Sequence, residues 1–368
     1  AAASALKAAK QGSKTLIIST DPAHSLSDAF DLAIGPEPTA IRENLWAQEL
    51  DVYYSMQKYW GNLRQLMLTV FRWQGIKNVM AEELTAIPGM EEGAAFLWIE
   101  KYYAEKFFDL IVIDSAPTGE TLTLLTLPQV TQWWVTKAFP AQKFAIKALG
   151  RVVRTATGIP LDKGYDELNN LFEKLIEINK VFADHKVCSV RIVTNAERMV
   201  INESKRAYTY LQLYGYNVDA VIINRLWSNE LAPPRFAQIL AIQEEHSQTI
   251  VESFSPIPIL RIEHRGNEVF GQELLAELAD EAYGLQTVRD VFHTEQLYTI
   301  EQHQSGYLVQ LKLKFIAQSD YTLSKFGDEL VINIANRRHN FYLPRFAHLY
   351  KLGSHEYINP WLRVFLVK

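Results

Sequence analysis

Short unbroken apolar runs alternate along most of the chain with stretches in which apolar residues recur every three or four positions. Leu16-Ile17-Ile18 and Leu110-Ile111-Val112-Ile113 are runs of the first kind, and the pattern predicts two buried strands of a parallel sheet. The first ends at Asp21-Pro22, because proline cannot donate to a ladder and turns the residue before it away from helix. Ala1 to Lys10 is alanine-rich and without a breaker, a helix with Gly12 placed for its C-terminal cap. Further on, Val190 to Val193 predicts a strand, Arg198 to Tyr214 a helix closed by Gly215, and Ala220 to Ile223 a strand ending in Asn224. Pro233-Pro234 opens a helix to about Thr249, and Ile257-Pro258-Ile259-Leu260 is the last strand of the series. Two long stretches, about 56–106 and 127–183, read as helical, the second interrupted at Pro140 and at Gly158-Ile159-Pro160.

Beyond about Val288 the period changes from helical spacing to alternation. Tyr307 to Leu313, Glu329 to Ile334 and Trp361 to Val367 predict strands, separated by turns such as Phe326-Gly327-Asp328. The expectation is an α/β domain over 1–287, with a helical subdomain at about 56–106 and 127–183, and an antiparallel β domain over 288–368. A length of 368 residues accommodates both cores.

Charge and composition narrow the function. A net charge of −5 gives no nucleic-acid footprint, and Arg337-Arg338 reads as a solvated turn. No apolar run reaches the ~18 residues that span a bilayer, and no signal-peptide pattern precedes the first helix, so the expectation is a cytoplasmic protein. A single cysteine, Cys188, allows neither an intramolecular disulfide nor a Cys-Cys metal site within the chain and reads as a buried, inert thiol.

Two acids stand at the candidate chemistry. Asp21 lies at the carboxyl end of a central strand, where open α/β sheets bind ligands. A turn-capping role for it stays open, and Ser25, Ser27 or Asp28 can cap a short helix running to Phe30. Asp114 ends the second strand and is followed by the small and hydroxyl-rich turn Ser115 to Thr121. That is a Walker-B-like delivery of a carboxylate to a magnesium-bound water, with a loop placed to sense a γ-phosphate.

The segments DPAHSLSDAF (21–30) and DSAPTGETLTLL (114–125) resemble the two switch motifs of the ArsA/Get3 family of deviant-P-loop ATPases. NLWAQELD (44–51), IPGMEE (87–92), NRLW (224–227) and HRGNEVFG (264–271) resemble further stretches of that family, so the likeness covers about 1–283. It implies a P-loop NTPase-like parallel sheet with helices on both faces and a helical insertion. It also implies ATP and Mg²⁺ as cofactors, with Asp21 orienting or deprotonating the attacking water and Asp114 holding Mg²⁺ through water. Pro117, Thr118 and Gly119 would sense the γ-phosphate through backbone contacts, Asn224 would contact adenine, and Pro258 would join the nucleotide-binding set. A plain turn-forming role for Asn224 remains the alternative.

Glu120 stands where the family has His, and a carboxylate there is unfavourable beside phosphate oxygens unless it points away or meets a cation. A GKGGVGKT-like phosphate loop is expected directly before Ala1. The family couples ATP to arsenite pumping or to delivery of tail-anchored membrane proteins, which implies a client or partner protein and the possibility of a homodimer. A non-hydrolysing nucleotide-binding or chaperone-like protein is the rival reading. Arsenite coupling is disfavoured, since a soft metalloid needs several thiolates. In the last segment, GDELVI (327–332) followed by RR and LP resembles the α-crystallin-like, small-heat-shock sandwich found in some members of the family.

Overall fold

In the computed structural model the described residues are 1–21, 25–59, 90–115, 161–228, 236–303, 306–317, 319–335 and 337–368. They fall into two compact units, Ala1–Val181 with Glu268–Asp290 and Phe182–Asn267 with Val291–Lys368. Among them, no helix is long and apolar enough to cross a membrane. The chain runs α1 (Ala2–Lys10), β1 (Thr15–Ser19), α2 (Ser25–Phe30), β2 (Thr39–Arg42), β3 (Leu45–Glu49), α3 (Val52–Tyr59), α4 (Met90–Glu105), β4 (Leu110–Asp114) and α5 (Leu161–Phe182). It continues through β5 (Val190–Asn195), α6 (Arg198–Leu213), β6 (Val218–Leu226), α7 (Ala237–Phe254), β7 (Ile259–Glu263) and α8 (Gly271–Tyr283). The β strands β8 (Tyr298–His303), β9 (Gly306–Lys312), β10 (Tyr321–Phe326), β11 (Glu329–Ile334), β12 (Arg337–Tyr342), β13 (Lys351–Ile358) and β14 (Trp361–Val367) complete it.

The first unit is built on a sheet of order β2-β3-β1-β4 in which β1 runs parallel to both β3 and β4. Every residue of β1 is buried, as its apolar run requires of a strand flanked on both sides. The alanines of α1 (Ala2, Ala5, Ala9) and Leu6 pack with Ile17, Leu45, Leu26 and Phe30 of α2, and Leu275 and Ala279 of α8. Small side chains let α1 lie close to the strands, and this fixes its axis. The helix ends as its sequence predicts: Gly12 takes φ +90 and the amides of Gly12 and Ser13 close on Ala9 and Ala8. Of the helical stretches expected at 56–106 and 127–183, the described portions (α3, α4 and α5) are helical. Residues 60–89 and 116–160 lie outside the described set.

The second unit has a parallel sheet β5-β6-β7 and two antiparallel sheets, β10-β11-β12 and β13-β14-β9-β8. The antiparallel pair encloses one core, Val309, Leu311, Leu330, Ile332, Leu362 and Val364, so the alternating runs form the expected sandwich. Leu213 of α6 belongs to the same core, with Tyr210 packed against it. Polar contacts reinforce that seam. Thr209 Oγ1 donates to the Lys314 carbonyl, the Lys314 amide donates to Gln212 Oε1 (2.8 Å), and Glu295 receives Lys312 and Tyr208. Arg337-Arg338, read from sequence as a solvated turn, instead opens strand β12, where the Arg337 guanidinium lies 6.0 Å from the Tyr210 ring.

Candidate active site

The parallel register sets the site. Ser19 pairs with Asp114 on one side and with Glu49 on the other, so three strand ends finish at one level. The Thr20 amide then donates to the Asp114 carbonyl (2.9 Å), and the Asp21 amide donates to Ser19 Oγ (3.2 Å). Asp21 therefore leaves the sheet from a strapped residue at the edge that Asp114 also reaches.

Burial pushes the Asp114 carboxyl above the ordinary carboxylate range, and the Asp21 charge raises it further.

A hard divalent cation suits this chemistry: both donors are carboxylate oxygens. Among the described residues there is no cluster of three or more His, Cys, Asp or Glu that forms an all-protein cage. Mg²⁺ is held in that manner, by one or two carboxylates with waters and substrate phosphates completing the shell.

A third acid escaped the sequence reading. Glu49, 5 % exposed at the end of β3, accepts the Ser27 amide (2.8 Å) on one oxygen and the Ser27 hydroxyl (2.9 Å) on the other. It thereby caps α2, a part for which Ser25, Ser27 or Asp28 was the candidate; Ser27 is the donor rather than the acceptor of this cap. The one visible signal was an acid among apolar residues in NLWAQELD, a segment whose buried Gln48 and Glu49 conceal its strand.

Pro117, Thr118, Gly119 and Glu120 lie outside the described residues. In the second unit, Asn224 does not end a strand. Strand β6 runs on to Leu226, with Asn224 opposite Asn195 and a register irregularity where Arg225 takes φ +56. A turn-forming role for Asn224 is thereby replaced by a place near the carboxyl end of β6.

Pro258 lies at the other end of its strand. It precedes β7, and its carbonyl accepts the Val221 amide (3.0 Å), so it sits at the amino end of β7 and level with the first half of β6. Ligands meet parallel sheets at the carboxyl ends of strands; Asn224 is at that end and Pro258 at the other. The residues that do follow the carboxyl ends are Trp227 and His264, whose rings stack at 4.2 Å and 15°. Gln243 holds the Trp227 backbone through both its amide and its carbonyl.

A parallel α/β sheet that brings two carboxylates to one edge, in a chain that also carries an antiparallel sandwich, is the frame of an α/β ligand-binding protein with an accessory β domain. Comparison with known proteins makes the class specific. Residues 1–284 match the family model described as Anion-transporting ATPase, and residues 304–366 match the HSP20-like domain found in ArsA. The chain is 35% identical over 368 residues to the "Putative arsenical pump-driving ATPase" of Prosthecochloris vibrioformis, covering 99% of this chain and 91% of the relative. It is 33% identical over 359 residues to "Putative arsenical pump-driving ATPase 1" of Aquifex aeolicus, covering 94% and 90%. It is 28% identical over 288 residues to "ATPase get3" of Aspergillus terreus, covering 75% and 84%. The chain belongs to the ArsA-type anion-transporting ATPase family.

Proposed function

We propose that this ATPase binds ATP with Mg²⁺ at the strand-end edge of β3, β1 and β4 and couples hydrolysis to a conformational cycle on a client or partner protein. The observation that carries this reading is the shared edge: parallel pairing of Ser19 with Asp114 and the strap from Thr20 bring Asp21 and Asp114 to one end of the sheet. On this reading Asp21 orients the attacking water and accepts its proton as the water oxygen bonds to the γ-phosphorus and the bond to the bridging oxygen breaks. Asp114 would hold Mg²⁺ through water, and the ion would supply charge neutralisation at the phosphate oxygens.

Pro117, Thr118 and Gly119 sense the γ-phosphate, and Asn224 belongs to the nucleotide set. The ATPase part occupies 1–287 and the sandwich 288–368. On this reading the protein works in the cytoplasm and is able to form a homodimer.

Asp114→Asn in the full-length protein tests the metal role. Apparent ATP affinity and turnover should fall together and recover partly with excess Mg²⁺. In the nucleotide-free protein the same substitution should raise the melting temperature, because it removes a carboxylate that burial disfavours. Wild-type Mg²⁺ dependence in Asp114→Asn would overturn the assignment.

A further inference from the structure

We infer that Glu49 is a positioning residue for hydrolysis: it fixes the segment that carries Asp21. The inference rests on the reading of Asp21 as the residue that orients water. A buried carboxylate is costly unless hydrogen bonds replace its hydration. Each oxygen of Glu49 accepts from Ser27, one from the amide and one from the hydroxyl. Ser27 is itself a node, because its hydroxyl accepts the Ile34 amide (3.2 Å) from the chain that leaves α2.

Helix α2 is six residues long, Ser25–Phe30, and a single short turn of helix does not hold itself in water. Leu26 and Phe30 bury one side of it in the core, but apolar contacts set depth better than direction. The charge-assisted pair of bonds from Glu49 fixes its first turn.

The other end of the same segment is also tied. The Asp21 amide bonds to Ser19 Oγ, and the Ser19 carbonyl accepts the Leu50 amide (3.3 Å) from the residue next to Glu49. Glu49 and Ser19 face each other in the β1–β3 register. Asp21 and Ser27 are thus each tied to one of two adjacent strand ends, β1 through Ser19 and β3 through Glu49, and Leu50 joins those ends to each other. Displacement of a reacting group by about 1 Å costs on the order of 10²-fold in rate without weakening substrate binding equally.

Glu49→Gln keeps the volume and one acceptor but turns a donor toward the Ser27 hydroxyl and removes the charge. Glu49→Asp keeps the charge but is one methylene short of reaching both groups. Ser27→Ala removes the two bonds of the hydroxyl, to Glu49 and from the Ile34 amide, and keeps the bond from the Ser27 amide. Steady-state ATP hydrolysis by the full-length protein and these variants should show kcat lowered by about 10- to 100-fold in Glu49→Gln and less in Ser27→Ala. KM for ATP should stay within about threefold of wild type.

The double variant should be no slower than Glu49→Gln, since the pair acts as one unit. Hydrogen exchange at the α2 amides should quicken in the same order. Wild-type kcat in both single variants overturns the inference, and so does a parallel loss of kcat and rise of KM in both, which would mark a general loss of the site. Asp21→Asn run alongside separates the two claims. If it turns over at the wild-type rate, the reading of Asp21 fails and positioning through Asp21 fails with it; if Asp21→Asn is slow while Glu49→Gln and Ser27→Ala keep wild-type kcat, the positioning inference alone fails.

Discussion

Acid should loosen the seam between α6 and the sandwich through His339. This residue lies in β12 opposite Ile332, is 5 % exposed, and has no hydrogen-bond partner for Nδ1. Its ring meets Tyr214, just past the end of α6, edge-on at 5.1 Å and leans on Phe341. Burial drives the imidazolium pKa down from 6.5 to about 3. Folded His339 is therefore neutral throughout the range in which the unfolded residue takes up a proton.

The sign follows: the unfolded state binds more protons below about pH 6.5, so stability falls as pH drops from there toward 3, by about 1.4 kcal/mol per pH unit. Between pH 8 and pH 5 this one group removes about 2 kcal/mol. His339→Leu has similar bulk and no proton to bind. Urea unfolding of the full-length protein at both pH values, followed by circular dichroism, should show the variant losing about 2 kcal/mol less than wild type on acidification. Equal losses in the two proteins would show that His339 is solvated or paired in the native state, contrary to its burial.

Two further outcomes follow from buried groups in the second unit. Asp219 is fully buried, accepts Arg191 on both oxygens (3.2 and 3.1 Å) and also receives the Phe292 amide (3.1 Å). Asp219→Asn should cost about 3–5 kcal/mol in urea unfolding by leaving the guanidinium unpaired, and a loss under about 1 kcal/mol would refute that. The thiol of Cys188 is desolvated and pushed up to about 12, so it offers no thiolate to a metalloid at neutral pH. Cys188→Ser should leave ATP turnover unchanged with or without arsenite, and an arsenite response lost in the variant would contradict this.

Much of the fold was legible because its strands are unbroken apolar runs and its breakers are glycine and proline. The limits of α1 and α6, marked by Gly12 and Gly215, and the sandwich strands from Tyr307, Glu329 and Trp361 follow the sequence closely. Strands β2 and β3 were not legible. In β3 the inward positions include Gln48 and Glu49, and polar residues at buried positions erase the run that identifies a strand. The same masking hid Glu49 from the candidate site, since its partner Ser27 lies 22 residues away in sequence.

The end of β6 was set two residues short, because asparagine after an apolar run usually marks a turn, whereas pairing with Asn195 carries the strand through Asn224. A proline inside an apolar run gives no clue to which end of the strand will face a ligand. The runs that lead to Asp21 and Asp114 were legible as strands, and the parallel register sets Ser19 level with Asp114.

The most direct measurement is ATP hydrolysis and ATP binding by full-length Asp21→Asn. Asparagine keeps the size and the backbone bond to Ser19 but loses the lone pairs that accept a proton from water. If Asp21 orients and deprotonates the attacking water, kcat falls by ~10²–10⁴-fold while the affinity for ATP with Mg²⁺ stays close to wild type. Wild-type turnover in this variant would contradict the account and return Asp21 to the role of a turn residue.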